Sequence, residues 1–311
     1  MLVYLIRRLI FAALLVFLVS SASLILARLA PGDFATAVLG DRPRPATVEQ
    51  IRAQYGLNRP IAEQYRDWIA HAVRFDFGRS WLYDTPVATL VRERAANTAI
   101  LAVTALAAAT FIGLPLGIVT GSRRAHFVTH AIRGGSLVLL SLPPLLTSLV
   151  MVLIAARTGW FPIGGMGSDT ADVLAHLVVP AVALALPVAA MFERLQSQAM
   201  AEVVGQPYVL AALARGIPRS RIVWRDALKA ALRPTAAVYG LVVGSLLSGS
   251  FAVEIVTSWP GLGRLMLEAL QARDVYLVAG CAAAGSIFIA LGTLLSDAAL
   301  AAVDPRVREV H

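Results

Sequence analysis

The stretch Ala99-Ile-Leu-Ala-Val-Thr-Ala-Leu-Ala-Ala-Ala-Thr-Phe-Ile-Gly-Leu-Pro-Leu-Gly-Ile-Val-Thr120 decides the fold class, because it contains no charged side chain. A helix that crosses the hydrocarbon core of a bilayer needs about 20 apolar residues. Lipid offers no hydrogen-bond partners, so a single crossing segment must satisfy its backbone internally, as a helix does. The stretch therefore predicts a transmembrane helix rather than a strand.

Five more apolar runs accompany this one, and together they predict an all-α integral membrane protein with six transmembrane helices. In chain order the other runs are Leu9–Leu29, Gly135–Ala156, Val173–Met191, Thr235–Val256 and Tyr276–Leu300. Of the 311 residues, 58% are hydrophobic and 15% are charged, whereas soluble domains carry about 25% charged residues. This composition excludes an ordinary water-soluble enzyme, and its excess of apolar residues excludes a disordered chain.

The positive charge of the chain is distributed unevenly between the two sides of the predicted membrane. If the N-terminus is inside, the inner segments hold 14 basic residues and 5 acidic ones, whereas the outer loops are balanced. An excess of lysine and arginine marks the cytoplasmic side of a membrane protein. We therefore expect a bacterial plasma (inner) membrane protein with both termini in the cytoplasm, and the net charge of +8 does not indicate nucleic-acid binding.

The loops between these runs suggest how the chain is organised. The first transmembrane helix occupies 1–29, and a polar outward-facing subdomain follows over 30–97. Helical patterns at Thr47–Tyr55 and Ile61–Val73 lie within this subdomain. The remaining five helices form a core over 98–300 that contains a long cytoplasmic loop over 192–234, and a cytoplasmic tail occupies 301–311.

The loop over 192–234 is basic and carries helical patterns on both sides of a Gly-Ile-Pro break at Gly216–Pro218. Glycine at a helix end with proline just beyond it is typical of a helix terminus, so the loop predicts a helix, a turn and a second helix on the inner face. A short helix with small side chains suits a groove on a partner protein. The basic side chains equally suit a surface helix on anionic lipid, and composition alone does not decide between the two.

Motifs that would indicate chemistry are absent from the sequence. The only lysine, Lys229, follows Leu228, so the chain has no phosphate-binding loop of the G-x-x-x-x-G-K type. No catalytic residue and no metal site are predicted. Small residues lie four apart at Gly240 and Gly244, and again at Ser245 and Gly249, a spacing that allows close helix approach.

The cytoplasmic loop resembles the EAA loop of permease subunits in ABC importers, and its length from Gly216 to Pro234 is similar to that of the dipeptide, oligopeptide and nickel branch. The residues that match or lie within this motif are Tyr208, Val209, Ala211, Ala212, Ala214, Arg215, Gly216, Ile217, Ala227, Leu228, Ala231, Leu232 and Pro234. Leu210 and Leu213 stand where the branch usually has basic residues. The resemblance implies that this loop carries the coupling helix, which docks on an ATPase subunit.

Outer motifs of the same branch recur in order along the chain. The first is Arg28-Leu-Ala-Pro31-Gly32-Asp33 after the first run, with Phe34 in place of a frequent proline. The later matches are Tyr55–Leu57, Pro60, Gln64–Tyr65, Asp76–Gly78, Glu254, Trp259-Pro260-Gly261-Leu262-Gly263, Arg273-Asp274 and Asp304–Arg308. Each motif is short, but their shared order makes the resemblance specific.

The resemblance implies a permease subunit that forms one half of a transmembrane channel and catalyses no reaction itself. The implied partners are a second homologous permease, two ATP-binding subunits that hold ATP and magnesium, and an extracytoplasmic solute-binding protein. This chain would bind no cofactor. A secondary carrier that works without an ATPase is the alternative, and a membrane-embedded enzyme is a third possibility, although no cluster of acid, base or metal ligands supports it.

Overall fold

The computed structural model describes residues 2–39, 45–72, 74, 76–122 and 127–303, and these are predominantly helical. Helices long and apolar enough to cross a membrane lie at Ile6–Leu29, Val87–Ser122, Thr170–Val204, Arg219–Val256 and Val275–Leu295. The pair Phe127–Ser141 and Pro144–Thr158 gives a sixth crossing if it is counted as one broken span. The all-α membrane fold predicted from the sequence is thereby confirmed.

The third apolar run differs from the continuous helix that its composition predicts. Its two helices meet at an angle of 109° across Leu142 and Pro143. Proline lacks a backbone N–H and disfavours helical geometry in the residue before it, so the Pro143-Pro144 pair ends one helix and begins the next. Pro143 takes an extended conformation, and Pro144 opens the second helix.

Contacts between Cα atoms divide the chain into two compact units. The first consists of the described parts of Met1–Ala99 and Pro260–Ala290. Its helices are α1 (Leu2–Leu29), α2 (Phe34–Leu39), α3 (Pro45–Gln54), α4 (Ile61–Ala72), the start of α5 (Val87–Ser122), then α12 (Leu262–Gln271) and most of α13 (Val275–Val303). The helical patterns at Thr47–Tyr55 and Ile61–Val73 correspond to α3 and α4, with Val73 outside the described residues.

An aromatic cluster holds the polar helices of this first unit together. Phe34 packs edge-on against Tyr55 with ring centroids 5.2 Å apart, and Trp81 packs against Tyr276 at 5.0 Å. Arg28 lies over the Trp81 ring at 5.7 Å. The cluster joins the end of α1 to α2, α3 and the start of α13, which gives the polar segment a core of its own.

The second unit consists of the described parts of Ile100–Trp259 and Leu291–His311. Between the rest of α5 and the end of α13, its elements are α6 (Phe127–Ser141), α7 (Pro144–Thr158), α8 (Thr170–Val204), α9 (Pro207–Ala214), α10 (Arg219–Arg221), a π-helical turn (Ile222–Ala227) and α11 (Leu228–Val256). Helix α8 lies at the centre, where it packs against α6, α7 and α11. The short helix α9 lies between the C-terminal end of α8 and the start of α10. Helix α10, the π-helical turn and α11 form one continuous helix, Arg219–Val256, which we call the α10–α11 rod.

Three glycines spaced four residues apart bring α5 into close contact with α8. A Cβ atom at Gly113 would lie 2.5 Å from the Ala189 carbonyl oxygen, and one at Gly121 would lie 2.5 Å from the Ser197 carbonyl oxygen. A Cβ at Gly117, midway between them, would lie 2.7 Å from the Cβ of Gln196. Small residues at this spacing allow helix backbones to touch in a membrane, and this stripe fixes α5 on α8.

The small residues that the sequence singled out on α11 have different surroundings. Among the described residues, no atom lies within 4 Å of a Cβ added at Gly244, although a Cβ added at Gly292 of α13 would lie 3.7 Å from the Gly244 backbone nitrogen. Gly249 does lie close to a neighbour, since its added Cβ would be 3.3 Å from Pro144. Helix α11 therefore approaches the break between α6 and α7 at Gly249.

Candidate functional site

Helix α9 is a short helix with well-defined ends, and it carries most residues of the predicted coupling motif. Pro207 opens it after the extended Gln206. At its end the Gly216 N–H donates to the Leu213 carbonyl at 2.9 Å and the Ile217 N–H donates to the Ala212 carbonyl at 3.2 Å. This pair of bonds is the Schellman arrangement, which needs a left-handed residue, and Gly216 supplies it with φ of +79°.

The two faces of α9 differ sharply in exposure. Val209 and Ala212 are buried against Ile222 of the π-helical turn, with Ile217 packed beside them. The opposite face is open and largely apolar: the exposed residues are Tyr208, Leu210, Ala211, Leu213, Ala214 and Arg215. Trp224 of the π-helical turn is also exposed. The helix is thus anchored by one face and free to meet a partner with the other.

The second half of the motif belongs to a membrane-spanning helix rather than to a separate surface helix. The sequence predicted a helix lying on the inner face after Pro218, but the chain continues from Arg219 without a break to Val256. Ala227 and Ala231 are buried against Ile118 of α5 and Met200 of α8, with Leu228 beside them. Leu232 is half-buried and Pro234 is exposed. Because a π-helical turn takes up the extra residue, the α10–α11 rod stays continuous.

Arg219 connects this rod to the end of α5. Its guanidinium donates to the Ser122 carbonyl oxygen at 2.6 Å. Carbonyls in the last turn of a helix have no partner within the helix, and a basic side chain satisfies them well. Arg219 therefore joins the start of this rod to the last turn of α5.

A buried polar network lies beside this region, and sequence reasoning assigned its central residue to a loop. Glu193 is 1% exposed in α8, and the Thr120 hydroxyl donates to its carboxylate at 2.6 Å. Arg133 of α6 donates to the Ser197 hydroxyl at 3.0 Å and to the Thr120 carbonyl at 3.2 Å. The Thr235 hydroxyl donates to the side-chain oxygen of buried Gln196 at 2.8 Å.

A cavity of about 550 Å³ opens next to this network between α6 and α8. We call it the α6–α8 groove. It is lined by Arg133, Ser136, Leu137, Glu193, Arg194, Ser197, Gln198, Ala201 and Glu202. The signal that marks this groove in the sequence is the recurrence of polar residues every four positions along 193–202, just after the apolar run ends.

The first outer motif forms a local turn rather than an open site. Pro31 is exposed, and Gly32 adopts φ of +90°. The Asp33 carboxylate accepts hydrogen bonds from the Thr36 N–H at 3.0 Å and from Arg52 of α3 at 2.6 Å. Partial burial acts to raise the pKa of Asp33, but the Arg52 and Thr36 hydrogen bonds outweigh it and lower the pKa below its usual value. Asp33 therefore stays charged and ties α2 to α3.

The motif at 259–263 shapes the connection between α11 and α12. Trp259 is buried, as are Gly261 and Gly263. The Pro260 carbonyl accepts a hydrogen bond from Asn97 at 2.8 Å, and Thr98 accepts one from the Leu262 N–H at 2.8 Å. Glu254 is buried near the end of α11. These positions fix a connection, and none of them lines the α6–α8 groove.

The remaining outer pair also has a structural role. Arg273 adopts φ of +59°, and the buried Asp274 next to it accepts a hydrogen bond from the Leu277 N–H at the start of α13. The other carboxylate oxygen of Asp274 accepts from the Ser80 hydroxyl at 2.6 Å. Asp274 thus caps α13 and holds the loop before α5. The last motif, Asp304–Arg308, lies outside the described residues.

Two family models match this chain. The family model described as binding-protein-dependent transport system inner membrane component matches residues 113–309, and the model for the N-terminal part of such components matches residues 1–102. Together the two models cover nearly the whole chain.

Curated relatives are similar over their full length. The oligopeptide transport system permease protein AppB of Bacillus subtilis is 30% identical, with 98% of each chain covered. A putative peptide permease protein of Brucella suis is 31% identical over 91% of this chain and 92% of its own. A putative peptide transport system permease protein of Brucella abortus is 32% identical over 94% of each chain. This chain therefore belongs to the family of inner membrane components of binding-protein-dependent transport systems.

Proposed function

We propose that this chain is the channel-forming permease subunit of an ATP-driven importer for peptides, and that α9 is its coupling helix. The peptide assignment comes from the similar proteins, which are named as oligopeptide and peptide permeases. The observation that carries the mechanism is the open apolar face of α9, held at the junction of two membrane-spanning helices. An ATP-hydrolysing partner would receive this face in a groove.

The contacts of α9 support a role in transmitting movement. Its buried face is fixed on Ile222, which begins the turn leading into α11. Arg219 then links the same rod to the last turn of α5. A push on α9 by a partner would therefore shift α11 and α5 together rather than bend a free loop. The subunit would alternate between two packings, each favoured by a partner that binds it more tightly.

The partners that complete this importer are a second permease, two ATP-binding subunits and an extracytoplasmic solute-binding protein. ATP and magnesium would be held by the ATP-binding subunits, so this chain needs no cofactor and catalyses no reaction itself. Dipeptides, oligopeptides and peptide-like metal chelates all suit the proposal, because the binding protein would select the solute.

A secondary carrier remains the second candidate, and Glu193 is the observation that favours it. Ionisable groups buried in spanning helices are typical of ion-coupled carriers, and Glu193 is such a group in α8. The carrier hypothesis gives no reason for the segment over 192–234, whereas an ATPase partner would use the exposed apolar face of α9. The two candidates therefore differ in whether a soluble ATPase is bound.

A pull-down with uptake measurement distinguishes them. We expect the tagged chain, solubilised in mild detergent, to retain a second six-span permease and one or two ATP-binding proteins, identified by mass spectrometry. The purified assembly in vesicles, supplied with its binding protein, should accumulate peptide only when ATP is present. Retention of this chain alone, together with uptake that follows a proton gradient, would favour the carrier instead.

The direction of the chain in the membrane gives a second prediction. Ala46 is exposed in α3, and the proposed topology places it outside. The variant Ala46→Cys should react with a membrane-impermeant thiol reagent added to intact cells. Since Cys281 is the only native cysteine and is buried, the unmodified chain serves as the blank. Reaction only after the cytoplasmic face is opened would reverse the topology.

A further inference from the structure

One end of the α6–α8 groove carries a buried acid that has no cationic partner among the described residues. Glu193 is buried and lines the groove. One of its carboxylate oxygens accepts the hydrogen bond from the Thr120 hydroxyl, and the other accepts none from the part of the chain that the structure describes. A buried carboxylate without a cation is costly, and an ionisable group in a spanning helix marks a functional site. The second oxygen therefore marks a place for a cation from outside the chain.

Two guanidinium groups lie at the same end of the groove. Arg133 donates to the Thr120 carbonyl, so it lies beside the residue that holds Glu193. Arg194 follows Glu193 in α8 and is exposed, and it forms no hydrogen bond or ion pair with the described residues. Guanidinium groups suit phosphate because their N–H donors match its oxygens. This end of the groove can therefore receive a cation and an anion side by side.

The rest of the lining differs from this charged end. Its surface is mostly apolar. Leu137 of the lining is exposed, as are Val138 and Leu140 further along α6. Glu202, the other acid of the lining, is exposed at the opposite end. The ligand that suits this surface has two opposite charges close together at one end and a hydrocarbon body.

The depth of the charged end matches the headgroup layer of one leaflet. The apolar run of α8, Val173–Met191, ends just before Glu193. At 1.5 Å per residue this run is about as long as the hydrocarbon core is thick, about 30 Å. In the proposed topology this end of the run lies on the cytoplasmic side. The headgroups of the inner leaflet are therefore level with Glu193 and Arg194.

From the charges, the apolar lining and the depth we infer that the α6–α8 groove binds a phospholipid with an ethanolamine headgroup from the inner leaflet. The ammonium group donates to the second oxygen of Glu193, and the phosphate accepts from Arg133 and Arg194. Only two methylene groups separate the carbon-linked amine from the phosphate ester oxygen, so both charges fit one end of the groove. An acyl chain leaves the groove over Leu137. The site does not depend on which solute the subunit transports.

Other common headgroups suit the charged end less well. Choline carries three methyl groups on its nitrogen and has no N–H, so it cannot donate a hydrogen bond to Glu193. Phosphatidylglycerol has a negative charge and no ammonium group, so it leaves Glu193 unpaired. Loss of a hydrogen bond to a charged group corresponds to about tenfold or more in binding. The groove should therefore select ethanolamine over choline by about this factor.

Competition between lipids in one membrane tests the inference. The tagged chain, with the partners that it retains, is placed in nanodiscs that contain equal amounts of phosphatidylethanolamine, phosphatidylcholine and phosphatidylglycerol. It is then released into mild detergent, and native mass spectrometry identifies the lipid that stays bound to the chain. Phosphatidylethanolamine should exceed phosphatidylcholine about tenfold. Millimolar phosphoethanolamine should not displace it, because this soluble compound has no acyl chain.

Three variants assign the roles of the charged residues. Glu193→Gln keeps an oxygen to accept the Thr120 hydrogen bond, and it should bring the ratio of the two lipids close to one. Arg194→Gln should lower the retention of both lipids severalfold and leave their ratio unchanged. Asp226→Asn is the matched control for the loss of an acid, because Asp226 is exposed on the π-helical turn and does not line the groove. It should retain the ratio of the unmodified chain.

Equal retention of phosphatidylethanolamine and phosphatidylcholine by the unmodified chain would overturn the inference. The same ratio in Glu193→Gln as in Asp226→Asn would overturn it too, because the acid would then play no part in the selection. Displacement by phosphoethanolamine would make the groove a site for soluble phosphate esters. Loss of the second permease from the Arg194→Gln assembly, with lipid retention unchanged, would show that a protein rather than a lipid covers the groove.

Discussion

Replacing Gly117 by alanine should lower the thermal unfolding midpoint of the purified chain by roughly 2–5 °C. The added Cβ would lie 2.7 Å from both the Gln196 Cβ and the Glu193 carbonyl oxygen. The second of these is helix backbone, which cannot rotate away as a side chain can. Overpacking of this kind costs about 1–3 kcal/mol, and it would also separate Thr120 from Glu193. Thermal unfolding in detergent, together with abundance in the membrane, measures the effect.

Gly244→Ala is the matched control for this change. It adds the same methyl group to another spanning helix, at a place where no atom of the described residues lies within 4 Å of the added Cβ. Alanine is also the better helix former, so this variant should unfold at the same temperature as the unmodified chain or slightly higher. Equal midpoints for the two variants would mean that the glycine stripe does not hold α5 against α8.

The number and place of the spanning helices were predictable because the bilayer imposes a minimum apolar length. The end of a helix within an apolar run was harder to predict. Pro115, Pro180 and Pro187 lie inside continuous helices, whereas Pro143 and Pro144 end one helix and begin another. A single proline removes one hydrogen bond that neighbouring helices can compensate, but two in succession remove adjacent donors and constrain the residue before them. The doubled proline was therefore the usable signal.

The α6–α8 groove was missed because hydropathy assigned Glu193 to a loop. Helix α8 continues to Val204, well past the last residue of the apolar run, so a charge counted as cytoplasmic is buried within the bundle. The glycine stripe on α5 was visible as a four-residue spacing, but the same spacing at Gly240 and Gly244 drew the prediction to α11. Spacing shows that a close approach is possible, and only the neighbouring helix determines whether it happens.

The motif residues illustrate a second limit of sequence reasoning. Asp274 and Asp33 were assigned to an outer motif without a stated role, and the structure gives each one hydrogen bonds that hold a turn or a helix start. The partners of Asp274 lie far away in the chain, as at Ser80, so no local pattern could identify them. By contrast, the end of α9 at Gly216 follows from local rules alone.

Introducing glutamate at Gly216 should reduce ATP-dependent peptide uptake by roughly tenfold or more while the chain remains in the membrane. Gly216 has φ of +79°, a conformation that costs other residues about 1–2 kcal/mol. The turn at Gly216 would relax to another backbone conformation, and the exposed face of α9 would shift relative to its ATPase partner. A loss of about 1.4 kcal/mol in binding free energy lowers the affinity for that partner tenfold. No atom of the described residues lies within 4 Å of an added Cβ at Gly216, so the bundle itself should fold. Uptake per unit of membrane-inserted chain measures the change.

Two further variants distinguish the effect of a changed backbone turn at Gly216 from the effect of the added negative charge. Gly205→Glu places the same charge at the other end of α9, where φ is −80° and the nearest atom to an added Cβ is 3.5 Å away, so uptake should fall far less. Gly216→Asn keeps a residue that tolerates the left-handed region, and it should retain most of the uptake. If Gly205→Glu were as damaging as Gly216→Glu, negative charge near the partner would be the cause. If Gly216→Glu transported normally at normal abundance, α9 would not be the element that couples ATP hydrolysis to transport.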